Sequence, residues 1–182
     1  MNADKNAEIH FGMNAKSPFV YLIALGSNQR HSELGSSANV VKHAVDALEM
    51  ADIDVVAHSP ILRSAAIGPS QRQYSNSTAI IITPLSPPAL LARLHDVEAH
   101  FGRKRRGERW RARVLDLDII LWSGGIWADD GLSIPHPAMR TRDFVLCPAA
   151  AIAPDWRDPV TGLTICQLQS RLSRPKPLDA AT

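Results

Sequence analysis

Two helix-period stretches set among four strand-like stretches, in the order β-α-β-β-α-β, predict an α+β fold: an antiparallel sheet with helices packed on it. The 182-residue length suits a single core, and 45% hydrophobic against 21% charged residues is the balance of a folded soluble domain.

Residues 19–25 form a continuous apolar, β-rich run that reads as a buried strand, with Gly26-Ser27-Asn28 as the turn that ends it. Over 37–50, Ala38, Val41, Val45 and Leu48 recur at helical intervals behind serines suited to an N-cap. Residues 54–62 and 77–83 read as two further strands, joined by a loop through Gly68-Pro69. Ser86 is placed to cap a second helix with Pro87 at its first position. Leu90, Leu91, Leu94, Val97 and Phe101 make its apolar stripe and Gly102 its end. Residues 114–121 supply the fourth strand. This succession is the ferredoxin-like pattern, with both helices on one face. Short C-terminal helices are expected at 143–152 and 164–172.

One domain is expected over 19–172, preceded by a flexible extension at 1–18 that lacks the apolar core of a secretory signal. A flexible tail follows at 173–182. The apolar run at 20–25 is far shorter than the roughly 18 to 20 residues that cross a bilayer. Cys147 and Cys166 are too few for a disulfide framework, so reduced thiols and a cytoplasmic location are expected.

Net charge is only +2, but seven of the 20 Lys and Arg residues fall within 103–113. Taken alone, such a run is a solvated surface or a nonspecific nucleic-acid patch. The strand that follows it carries Asp116 and Asp118. Side chains two apart in a strand share a face, about 6.5 to 7 Å apart along the backbone. Two such carboxylates either pair with arginines on a solvent face or share a hard cation. Mg²⁺ takes one or two carboxylates and completes its shell with phosphates and water. A basic run beside the pair therefore suggests a polyphosphate held from both sides.

Several stretches carry a family resemblance: IALGSN at 23–28, the Gly68-Pro69 loop with Tyr74-Ser75-Asn76, and Glu98 with FGRKRRGERWRARVLDLDIILW at 101–122. SIPHP at 133–137 and Arg142-Asp143-Phe144 complete the set. In order and spacing they resemble the 6-hydroxymethyl-7,8-dihydropterin pyrophosphokinase family over residues 21–168. The resemblance implies transfer of a pyrophosphoryl group from ATP, the co-substrate, to the pterin alcohol in folate biosynthesis. It implies two Mg²⁺ ions on Asp116 and Asp118, with Arg103 and Arg113 stabilising the transition state. Glu98, Arg103, Arg105, Trp110, Arg113, Ile119, Ser133, His136 and Arg142 would contact ATP. Tyr74 and Phe144 would sandwich the pterin, Asn76 would bond its amide-like edge, and the loop through Ser64, Ala65 and Ile67 would present backbone groups. Trp110 would close over both substrates as a lid. ATP and the pterin are the partners implied, acting on a monomer, with neither nucleic acid nor membrane.

Three departures stand out. Ser64-Ala65-Ala66 replaces a frequent Thr-Pro-Pro, Arg111-Ala112 replaces the usual Gly-Pro after the tryptophan, and Gly131 falls where some members are basic. From the residues alone, Trp110 is also a cation-π brace, Phe144 a core filler and Glu98 a solvated helix residue. A ferredoxin-like RNA reader is the competing class, but 5% aromatic content offers few stacking platforms. A diverged binder without turnover is the other alternative.

Overall fold

The computed structural model describes residues 18–51, 53–64, 73–102 and 114–174. The expectations for 1–17 and 175–182, for the Gly68-Pro69 loop and for the basic run at 103–113 lie outside the described residues.

The main sheet holds β1 (Phe19–Ser27), β2 (Asp54–His58), β3 (Leu62–Ser64), β4 (Tyr74–Thr83) and β5 (Asp116–Trp122). Its order is β2-β4-β1-β5, with β3 following β2 along the same edge of β4, and every pairing is antiparallel. That is the expected ferredoxin-like topology. Helices α1 (Ser37–Glu49) and α2 (Pro87–His100) cover one face, packing Val40, Val41, Leu48, Leu90 and Leu94 on Tyr21, Ile23, Ile81 and Leu117. The opposite face meets α3 (Asp143–Ile152) and α4 (Ile165–Leu172), whose Val145, Leu146, Ala149 and Leu168 join Leu22, Ile120 and Leu121 in a second core. A small hairpin, β6 (Trp127–Ala128) with β7 (Ser133–Ile134), was not anticipated. Among the described residues no helix is long and apolar enough to cross a membrane.

Four boundaries differ from the expectation. Gly26 and Ser27 remain in β1 because β4 pairs with both and β5 with Gly26, and pairing on two sides overrides turn propensity. The 54–62 strand is two strands, broken at Pro60, which has no N–H to give. Ser59 keeps that edge attached: its N–H donates to the Thr78 carbonyl (2.9 Å), and its Oγ accepts from the Thr78 N–H (3.0 Å). β4 begins three residues early because Ser75 and Asn76 are buried polar groups that do not look like core. β5 begins at Asp116 rather than 114 and runs on to Trp122.

The caps follow the predicted positions. Ser36 accepts from the Asn39 N–H at the start of α1, while Ser86 occupies the N-cap of α2 without a side-chain bond. Gly102, just past α2, has φ of 82°, a left-handed value that suits glycine.

Within β5 the register against β1 slips: Ile23 faces Ile119, but Leu22 faces Leu121, which leaves Ile120 as a bulge. Leu117 and Ile119 pack in the helix-side core, whereas Ile120 and Leu121 both pack toward α3.

Candidate active site

The α3 side of the sheet ends in a polar floor. Asp116, Gly26, Asn76 and Leu62 lie opposite one another across β5, β1, β4 and β3, and Asp118, Ala24 and Thr78 form the next rung. Directly opposed residues share a face, so both carboxylates and the Asn76 amide look the same way. Adjacent strands are about 4.8 Å apart, which puts Asn76 roughly 10 Å from Asp116. Gly26 sits between them with no side chain, and a Cβ there would stand 3.2 Å from Asn76 Oδ1. The floor therefore has a trough at its centre. Asn76 is 6% exposed and its Nδ2 donates to Ser64 Oγ at 2.8 Å, which ties β4 to β3 and fixes the amide. Half-buried Tyr74 lies two residues back on the same face.

A wall rises beside this floor from the segment after β7. The Ile134-Pro135 peptide is cis, and the His136 N–H donates to the carbonyl of the bulge residue Ile120 (3.0 Å). The β5 irregularity thus holds His136 alongside the carboxylates. His136 Nδ1 accepts from the Ala138 N–H at 3.1 Å, so the neutral ring carries its proton on Nε2. Burial lowers the imidazole pKa below the ordinary histidine value; Asp118 pulls it up, Arg142 down and Asp116 up. The ring is accordingly neutral at pH 7. Arg142 precedes α3, with its Nη1 3.9 Å from Asp118 Oδ2. Its guanidinium carbon lies 5.7 Å from the ring centre of Phe144, in the first turn of α3.

Glu98 corrects the reading of a solvated helix residue: it is 1% exposed. Its Oε1 accepts the Leu117 N–H at 2.8 Å, gripping β5 between the two aspartates from the α2 side. The Ile119 side chain is buried in the helix-side core, facing away from the carboxylates, so only its backbone is on offer to a nucleotide. Ser133 is exposed on β7 opposite Ala128. The structure thus brings together Ser64, Tyr74, Asn76, Asp116, Asp118, His136, Arg142 and Phe144 around one surface, with Glu98 behind it. Ala65, Ile67, Arg103, Arg105, Trp110 and Arg113 lie outside the described residues.

Two contributors escaped sequence reasoning. Gly26 looked like turn punctuation, and the Ile120 carbonyl had no side-chain signature. Three consecutive apolar residues, Ile119-Ile120-Leu121, after an alternating Asp-Leu-Asp were the one hint of a bulge.

Among the described residues no group of three or more His, Cys, Asp or Glu side chains is arranged to enclose a metal ion. Asp116 and Asp118 instead present hard oxygen donors on one open face, with the Asp118 side chain 37% exposed. That donor set fits a hard divalent cation that draws its remaining ligands from phosphate and water.

Comparison with known proteins agrees with this geometry. The fold is shared with the crystal structure of wild-type Plasmodium falciparum HPPK-DHPS (TM-score 0.67, 12% identity), which it matches over 88% of this chain and 42% of that one. The chain thus spans less than half the length of that protein. In sequence it is 42% identical over 148 residues to a Synechocystis 2-amino-4-hydroxy-6-hydroxymethyldihydropteridine pyrophosphokinase, covering 81% of this chain and 73% of the relative. It is 39% identical over 139 residues to the Pseudomonas aeruginosa enzyme of that name, covering 75% and 82%. A family model described as 7,8-dihydro-6-hydroxymethylpterin-pyrophosphokinase (HPPK) matches residues 22–154, a span that takes in both the sheet floor and the wall beside it. With floor, wall and sequence in agreement, this chain belongs to the 7,8-dihydro-6-hydroxymethylpterin-pyrophosphokinase family.

Proposed function

We propose that the protein transfers the pyrophosphoryl group of ATP to 6-hydroxymethyl-7,8-dihydropterin, giving the pterin diphosphate and AMP in folate biosynthesis. The observation that carries this reading is the rung Asp116–Gly26–Asn76 with Asp118 on the next, which sets an amide for a heterocycle and a carboxylate pair for a phosphate on either side of a trough at Gly26. Family membership supports it independently.

The pterin lies over Asn76 and the Ser64, Ala65 and Ile67 loop, between the rings of Tyr74 and Phe144. Its hydroxymethyl group points along the trough toward Asp116. Asp116 and Asp118 hold two Mg²⁺ ions, which when bound neutralise charge on the transferred and leaving oxygens. The pterin oxygen forms a bond to the β-phosphorus while the bond from that phosphorus to the α-phosphate oxygen breaks. AMP leaves with that oxygen, and the hydroxyl proton is lost.

The rest is positioning and electrostatics. His136 keeps Nδ1 occupied by the Ala138 N–H, so Nε2–H is left to donate to a phosphate oxygen. Arg142 adds a guanidinium beside Asp118, and Arg103, Arg105 and Arg113 supply further forks matched to phosphate. Glu98, Ser133 and the backbone of Ile119 complete the nucleotide side, and Trp110 closes over both substrates. The unit is a cytoplasmic monomer, one domain over 19–172, whose partners are these two small molecules.

The test is AMP formation from Mg²⁺ and ATP, with and without the pterin, following the product by mass. Pterin-dependent AMP with the diphosphate is expected; AMP formation that is absent or indifferent to the pterin overturns the proposal.

A further inference from the structure

The wall that carries His136 and Arg142 is a short strip of chain with little regular structure of its own. Its front is tied to Ile120, and its rear runs into α3. Between them lies a single 3-10 turn, Met139–Thr141, whose backbone bonds lengthen from 3.0 Å at Met139 to 3.3 Å at Thr141 and 3.4 Å at Arg142. Such turns have poorer hydrogen-bond geometry than α-helix. Met139 is buried in the α3-side core, which holds one flank of the turn.

Arg140 holds the other. With three residues per turn, side chains two apart point in different directions. Arg142 reaches Asp118, while Arg140 turns away to the loop between α3 and α4. There its Nε donates to Asp158 Oδ2 at 2.7 Å and its Nη2 to Oδ1 at 2.8 Å. Asp158 is fully buried and also accepts from Thr161 Oγ1 (2.6 Å) and the Val160 N–H (3.1 Å). The loop closes on itself around that carboxylate through Asp158 N–H to the Leu163 carbonyl and Gly162 N–H to the Asp158 carbonyl. A two-pronged pair with a fully buried acceptor is geometrically far more restrictive than an exposed ion pair.

We propose that the Arg140–Asp158 fork is the outer anchor that sets the 136–142 strip against Asp116 and Asp118, making Arg140 a positioning residue for the phosphate chemistry. This rests on the functional reading above. Neither residue touches the carboxylates; the fork acts through the strip that does.

The experiment compares Arg140→Met, Asp158→Asn and the double variant in full-length protein. Tm, AMP-forming kinetics and amide exchange at Met139, Thr141 and Arg142 are read for each. Arg140→Met strands a buried carboxylate and should lower Tm, and neutralising Asp158 in the double variant should recover much of that loss. Turnover should not recover with it. In the double variant, kcat stays about tenfold or more below wild type with the KM for pterin within about twofold, because misplacing a positioned group by an ångström costs that much or more. Exchange at the three amides stays correspondingly faster. If turnover returns together with Tm, or if the double variant keeps wild-type kcat and exchange, the fork is a structural staple only and the proposal falls. Should Arg140→Met fail to fold, Asp158→Asn and the double variant decide the matter. Should the wild type make no pterin-dependent AMP, the functional reading fails; exchange at the three amides still decides whether the fork holds the strip.

Discussion

On the face covered by α1 and α2, the inward residues of β1 and β5 stay large and apolar along nearly their whole length: Tyr21, Ile23 and Leu25, then Leu117 and Ile119. On the α3 face the same strands diminish toward one end. β1 runs Leu22, Ala24, Gly26; β4 runs Ile80, Thr78, Asn76; β5 runs Ile120, Asp118, Asp116. Three neighbouring strands thus lose volume and gain polarity in step, and the apolar half packs against Val145, Leu146 and Ala149 of α3. The site is made by thinning one face of a sheet whose other face supplies much of the folding energy. Substitutions on the two faces should therefore separate chemistry from stability.

The largest effect expected is on chemistry alone. Asp118→Ala should reduce AMP formation by more than about a thousandfold, since it removes one of the two proposed carboxylate ligands of the cations that would neutralise the transferring phosphates, while the half-exposed position leaves stability within about 0.5 kcal/mol. Near-normal turnover at saturating Mg²⁺ would remove Asp118 from the proposed site. The reciprocal case is Leu94→Ala, fully buried in α2 on the other face. Urea unfolding should register a loss of about 2 to 5 kcal/mol, with kcat unchanged at temperatures where the variant is folded. A large fall in kcat there would show that the faces are coupled.

The third effect depends on pH. Burial alone would raise the Asp158 pKa, but the hydrogen bonds from Arg140, Thr161 and Val160, together with the arginine charge, bring it from 3.8 to about 2. A folded-state pKa below the unfolded value means that this contribution is whole above about pH 4. It drains away as pH falls toward 2, for a total of about 2 kcal/mol. Urea midpoints between pH 5 and pH 2 should fall less steeply in Asp158→Asn than in wild type; parallel slopes would contradict the assignment. The smallest effect tests the trough. Gly26→Ala places a Cβ 3.2 Å from Asn76 Oδ1, and overpacking of that kind, worth about 1 kcal/mol or a little more, should weaken pterin binding roughly tenfold by calorimetry. Unchanged affinity would mean that the pterin does not use the gap.

The helix-covered face was largely readable in the sequence, because period 3.6 in α1 and α2 and apolar runs in the strands are direct signals of burial. So was the Asp116 and Asp118 pair, whose shared face follows from strand geometry alone. The thinned face was harder. Ser75 and Asn76 are buried polar residues in a strand, and polarity reads as exposure until the partner strands are known. Gly26 has high turn propensity, which pairing on both sides overrides. Glu98 sits at the edge of an apolar stripe, and only the fold reveals the Leu117 N–H that it satisfies. The Arg140–Asp158 contact joins a short turn before α3 to the irregular loop after it, 18 residues apart, and no periodicity links the two.

Counting along an unbroken pleat, positions 116, 118 and 122 are all even and would share a face; instead Trp122 packs with Phe19, Tyr21 and Trp127 on the helix side, while the aspartates look the other way. Ile120 is a change of parity, letting one seven-residue strand serve an aromatic cluster and a carboxylate pair on opposite surfaces. Excising that single residue would leave every remaining side chain of β5 on its present surface, yet it would delete the carbonyl on which His136 hangs. The strand could be shortened without offending the sheet, and the wall would come loose.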